Sequence, residues 1–237
     1  TSAHRPGRDS VAILKGLTIA ALPIILAITM HEVAHGWTAY KLGDPTAKSM
    51  GRLTLNPLAH IDPVGTVLLP IILFILSKGT FMFGSAKPVP VNFNNLRNPK
   101  RDMALVAAAG PFANVLISII SLVILRVLEH IFVGNTIGNG SQMVLVPVFG
   151  MLEYSIIFNI FLAAFNLLPI PPLDGGRIVV SLLPHRQAYE FSKVEPYGIF
   201  IVLILWFTGI AKYIIAPIQI FIVFIVEGVS TILGRIL

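Results

Sequence analysis

The segment Thr29-Met30-His31-Glu32-Val33-Ala34-His35-Gly36 sets two imidazoles and a carboxylate inside an otherwise apolar run. In a helix, His31 and His35 lie one turn apart and face the same way, while Glu32 projects from the adjoining face toward the same space. Two histidines at that spacing can bind one Zn²⁺, and the glutamate can take a proton from a water in the open coordination position. The structural alternative is a pair of satisfied core histidines beside an ion-paired glutamate. No charge occurs from Gly16 to Met30, and burying three ionisable groups at membrane depth without a function would be costly.

A zinc site that keeps one position for water needs three protein ligands, and the histidine pair supplies two. The third is sought in the run NLLPIPPLDGG from Asn166 to Gly176. Pro169, Pro171 and Pro172 followed by Gly175 and Gly176 cannot continue a regular helix, and irregular backbone at membrane depth is tolerated where it is buried in protein or lines a wet cavity. Asp174 sits in that break and is the expected ligand. Glu153 and Glu129 compete, but neither has broken backbone beside it. His60 and Asp62, next to Pro57 and Pro63, read more simply as loop polar groups than as extra ligands.

These residues need a scaffold, and composition indicates which kind. Of 237 residues, 55% are hydrophobic and 12% charged, about half the charge of an average soluble protein. The apolar material is spread over most of the length, which points to one membrane-embedded domain and no separate soluble domain. The net charge of +6 arises from basic residues in short loops, where they set orientation, so nucleic acid is not an expected partner. The absence of cysteine excludes disulfides and thiolate zinc sites and leaves His, Asp and Glu as ligands.

The expected fold class is an all-α multi-pass membrane protein with five or six membrane segments, a short membrane-associated β-hairpin and a re-entrant segment. Residues 1–10 form a polar N-terminal segment, 11–183 a membrane-embedded core, and 184–237 C-terminal membrane segments. Val11 to about Tyr40 is the first span, with Pro23 as a site for a kink. Gly43 to Asp62 is a loop marked by Asp44-Pro45, Asn56-Pro57 and Asp62-Pro63. Val64 to Leu76 is too short to cross unaided and is broken by Pro70, which suits a re-entrant course. Phe81 to Asn92, FMFGSAKPVPVN, alternates in places and suggests a hairpin with one unpaired edge, on which Val89 and Val91 would meet a peptide; an ordinary interfacial loop is the alternative. Met103 to Phe132 and Met143 to Leu168 are further spans, the former carrying Gly110-Pro111-Phe112-Ala113-Asn114, whose small residues permit close helix contact.

Taken together, HEVAHG in a first span, the GPFAN stretch, and NLLPIPPLDGG in a later span resemble the site-2 protease family of intramembrane zinc metalloproteases. The likeness covers about Ala27 to Leu183. The stretches NPLAHIDPVGT and AKPVPVN resemble the compact subgroup without extra peptide-binding domains. The resemblance implies zinc ligands at His31, His35 and Asp174, one Zn²⁺ per chain, and Glu32 as catalytic base. It also implies that Asn166 helps position a substrate, a transmembrane protein or peptide cleaved in or near its membrane segment, as in regulated intramembrane proteolysis. Two other classes stay open: a catalytically silent scaffold that binds membrane segments, and a metal transporter. Transport gives no reason for a glutamate beside the first histidine.

One zinc can bind all three ligands only if the first span and the span from Met143 run parallel. Lys41, Lys48, Arg52, Lys78, Lys87, Arg97, Lys100 and Arg101, together with Arg186 and Lys193, then fall on one side and outweigh Arg5, Arg8 and Lys15. This predicts an external N-terminus and a cytoplasmic Lys41 to Arg101 region, in the cell membrane of a prokaryote.

Overall fold

The computed structural model describes residues 6–76, 84, 86–132 and 139–235. Nine α-helices occur among them: α1 (Pro6–Lys41), α2 (Thr46–Ser49), α3 (Leu69–Leu76), α4 (Pro99–Phe132), α5 (Asn139–Asn166), α6 (Asp174–Leu182), α7 (His185–Ser192), α8 (Gly198–Phe207) and α9 (Ala211–Leu233). Four stretches are long and apolar enough to cross a membrane: Thr18–Lys41, Pro99–Phe132, Gln142–Asn166 and Ala211–Leu233. The protein is a multi-pass membrane protein.

Two expectations are corrected. Among the described residues there are four such helices rather than five or six. The apolar stretch Pro63–Leu76, a π-helical turn running into α3, is shorter than the roughly 20 residues needed to cross. The C-terminal apolar run is divided by Gly209 at φ +74, a left-handed conformation that stops α8. The second correction concerns the hairpin: no β-strand exists among the described residues. Phe81–Phe83 and Ser85 lie outside them, and residues 86–92 form irregular chain, in which the Lys87 N–H donates to the His60 carbonyl. The cause is donor supply. Pro88 and Pro90 carry no N–H, Val89 N–H is taken by the Glu32 side chain, and Asn92 N–H by Asp44. A ladder on this segment would lack the donors it needs.

The chain divides into two compact units. Unit 1 comprises Thr1–Ala27, Asn114–Phe165 and Ile215–Leu237; unit 2 comprises Ile28–Ala113 and Asn166–Ile214. Within unit 1, Asn114, Ser118 and Ser121 are buried on one face of α4, with Asn159 and Ser155 buried on α5. Asn114 Nδ2 donates to Asn159 Oδ1 at 2.8 Å and to the Ala27 carbonyl at 3.2 Å, and Ser121 and Ser155 hydroxyls pair at 2.8 Å. In helices without water these bonds hold the bundle together, each contributing about 0.6–2 kcal/mol.

Within unit 2, α1 ends on Gly43, φ +115, where the Gly43 and Asp44 N–H groups return to the Tyr40 and Ala39 carbonyls. That left-handed cap turns the chain back. Asp44 then ties the turn to the loop after residue 91, accepting from Asn92 N–H and Asn95 Nδ2. Ala39, Leu96 and Val106 form a small core, with Val91 and Phe93 packed on it. The segment from residue 86 to 93 is thereby fixed against α1 and α4.

Candidate active site

His31 is buried and His35 half-buried, one turn apart on α1, their rings 4.6 Å apart and nearly perpendicular. His35 Nδ1 lies 2.7 Å from the Val106 carbonyl, and a carbonyl can only accept, so Nδ1 carries the proton. Nε2 of His35 therefore presents a lone pair. It faces His31 Nε2 at 3.0 Å and Asp174 Oδ2 at 3.3 Å.

Gly110 explains how α4 comes so close. A methyl group on it would collide with His35 Nε2 and stand 2.6 Å from His31 Cε1. Any side chain there would displace both rings.

Asp174 opens α6, and the broken chain before it does the positioning. Ile170 N–H returns to the Leu168 carbonyl and Leu173 N–H to the Ile170 carbonyl, folding the prolines into a tight double turn. Gly175 and Gly176 sit against that turn, where a Cβ would strike the Leu167 and Leu168 carbonyls and the Pro171 backbone. The carboxylate is buried, and its Oδ2 takes no hydrogen bond among the described residues.

These atoms fit a metal. His31 Nε2 is 3.2 Å and His35 Nε2 3.3 Å from Asp174 Oδ2, which with the 3.0 Å between the imidazoles makes a nearly equilateral triangle. Tetrahedral zinc with bonds of about 2.0–2.1 Å sets its ligands about 3.3 Å apart. Two imidazole nitrogens and a buried carboxylate oxygen converging at this spacing offer a cation three donor atoms. Among the described residues, His31, His35 and Asp174 are the one group of three able to hold a metal ion.

Glu32 Oε2 accepts the Val89 N–H at 2.8 Å. A cavity of about 130 Å³ is lined by Glu32, the three candidate ligands, and also Val89, Val91 and Asn166, so the structure brings together every site residue read from the sequence. Glu129 instead pairs with Arg126 at 2.7 Å, and Glu153 is exposed. His60 Nε2 bonds the Thr54 carbonyl and Asp62 caps the turn at Gly65. Three contributors were not read from the sequence: the Val106 carbonyl, Gly110 as the floor under the imidazoles, and Arg177 on the cavity wall. Arg177 could have been found one turn after Asp174 in the string DGGR.

The family model described as Peptidase family M50 matches residues 19–209. The chain belongs to peptidase family M50. "Putative zinc metalloprotease YwhC" of Bacillus subtilis is 39% identical over 199 residues, covering 83% of this chain and 83% of that protein. "Putative zinc metalloprotease Rip2" of Mycolicibacterium smegmatis is 28% identical over 189 residues, covering 78% of this chain and 64% of that protein. No solved structure matches the chain significantly. This M50 member therefore has the zinc-metalloprotease fold with a buried His/His/Asp cluster, consistent with intramembrane proteolysis.

Proposed function

We propose that this chain hydrolyses peptide bonds in or near transmembrane segments of other membrane proteins, with one Zn²⁺ held by His31, His35 and Asp174 and with Glu32 as the catalytic base. The convergence of both Nε2 atoms and Asp174 Oδ2 within 3.3 Å, on the wall of a cavity that Glu32 also lines, carries this reading. When bound, zinc supplies Lewis acidity, which makes water a nucleophile near neutral pH and polarises the scissile carbonyl. Glu32 takes the proton of the attacking water, whose oxygen adds to the carbonyl carbon as the π pair moves onto the carbonyl oxygen. On collapse the C–N pair leaves with the amine nitrogen, which receives that proton from Glu32. Val89, Val91 and Asn166, on the cavity wall, contact the substrate. Bacterial relatives and the basic residues between Lys41 and Arg101 support placement in the cytoplasmic membrane of a prokaryote, with that region in the cytoplasm.

The test is Glu32→Gln in the full chain. One equivalent of zinc with no turnover of a transmembrane peptide is the expected result. Undiminished turnover would overturn the assignment of the base, and absence of zinc in the wild-type protein would overturn the metal.

A further inference from the structure

We propose that Arg177 is a further catalytic residue, supplying the charged hydrogen-bond donor that meets the oxygen of the scissile carbonyl as it becomes an anion. The proposal rests on the metalloprotease reading above and adds to it the group that stabilises the charge. Addition of water to a peptide carbonyl moves an electron pair onto the carbonyl oxygen, and a donor already aimed at that position lowers the barrier. The residues around the cavity offer one such cation.

Arg177 lines the same cavity as Glu32 and the three ligands. It lies three residues after Asp174 on α6, so the two side chains rise from one helix face with Cβ atoms about 5–6 Å apart. Its guanidinium carbon stands 5.5 Å from the ring centroid of Phe93, another cavity wall. A guanidinium held on an aromatic ring keeps its orientation while the N–H fork remains open for a substrate. The nearest carboxylate, Glu195, is 3.9 Å from Nη2, with the two side chains 38% and 51% exposed, too long a separation for a hydrogen bond. The fork is thus not consumed by its counter-ion.

Two roles would give the same wall position: a donor to the developing oxyanion, or a brace that ties α6 to Glu195. The experiment separates them in the zinc-loaded full chain, cleaving a transmembrane peptide and binding a phosphinic peptide, whose tetrahedral anion imitates the charged state. Arg177→Gln is expected to lower kcat about 10²-fold, with KM within about threefold and zinc content unchanged. Phosphinic peptide affinity should fall by a similar factor, and guanidinium chloride should restore part of the kcat of Arg177→Ala. Glu195→Gln should keep kcat within about twofold, since a loose exposed pair contributes little. Loss of kcat in Glu195→Gln equal to that in Arg177→Gln would make Arg177 a brace and overturn the proposal. A rise in KM with unchanged kcat in Arg177→Gln would also overturn it. Should Arg177→Gln fail to fold, Arg177→Lys carries the test, because lysine keeps the charge without the fork; about a tenfold fall in kcat and in phosphinic affinity is expected, and wild-type values for both would overturn the proposal. Turnover surviving Glu32→Gln would instead remove the reading of the site on which the proposal stands.

Discussion

The Glu32 carboxylate is held by the backbone N–H of Val89, 2.8 Å from Oε2 and 57 positions away in sequence. The group assigned to move the proton is oriented by main chain, so side-chain identity at residue 89 matters less than the presence of its N–H. Val89→Pro should reduce peptide cleavage about 10²-fold, as misplacement of a catalytic group by an ångström does, whereas Val89→Ala should stay within about tenfold. Initial rates on one peptide, corrected for zinc content, measure the difference; equal rates would detach Val89 N–H from the reaction.

Gly110 gives a sharper test of site geometry. Gly110→Ala places a methyl group against both imidazoles and should weaken zinc binding by about 10–100-fold, the scale found when support of a ligand is disturbed. Helix content should be unchanged, since alanine favours a helix over glycine. Zinc titration with circular dichroism on the same samples checks both statements.

Asp174 supplies the carboxylate of the cluster. Asp174→Ala leaves two imidazoles and an open side, and zinc should be lost on dialysis that wild type withstands. A chelator should abolish wild-type turnover reversibly, with activity returning on added zinc. Full metal occupancy in Asp174→Ala would remove this residue from the ligand set.

Asp44 predicts an acid limit to stability. Burial pushes its carboxyl pKa up, but bonds from the Thr46 hydroxyl and Asn95 amide and from the Asn92 and Thr46 N–H groups outweigh burial and hold it below the usual value. A depressed folded pKa stabilises the fold above the unfolded value of about 3.9, and that stability fades as pH falls through the lower folded value. Asp44→Asn should cost roughly 1–3 kcal/mol at neutral pH and flatten the acid limb. Thermal unfolding in detergent between neutral pH and pH 3 reads both effects.

Much of the site was legible because its signals are local. His31 and His35 sit at a helical spacing, and Asp174 is marked by the prolines and glycines that break the chain around it. What escaped was carried by groups without a sequence signature. The Val106 carbonyl and the Val89 N–H are backbone, and Gly110 acts through the side chain it lacks. The hairpin was misread because Val89 and Val91 alternate with Pro88 and Pro90 as in an edge strand. Alternation predicts an extended chain, while pairing depends on where each N–H goes, and here the donors at 89 and 92 go to Glu32 and Asp44. The count of spans failed at Gly209, where a left-handed residue divides an apolar run.

His31 and His35 lie on α1 and Asp174 on α6, and between them the chain makes two of its candidate spanning helices, Pro99–Phe132 and Gln142–Asn166. A ribosome delivers these parts in order. A nascent chain thus reaches the bilayer with Glu32 and the two imidazoles long before the carboxylate that completes the cluster. No half-made copy holds the complete His31, His35 and Asp174 cluster, so on the proposed function the proteins inserting alongside it would be spared until Asp174 has been synthesised.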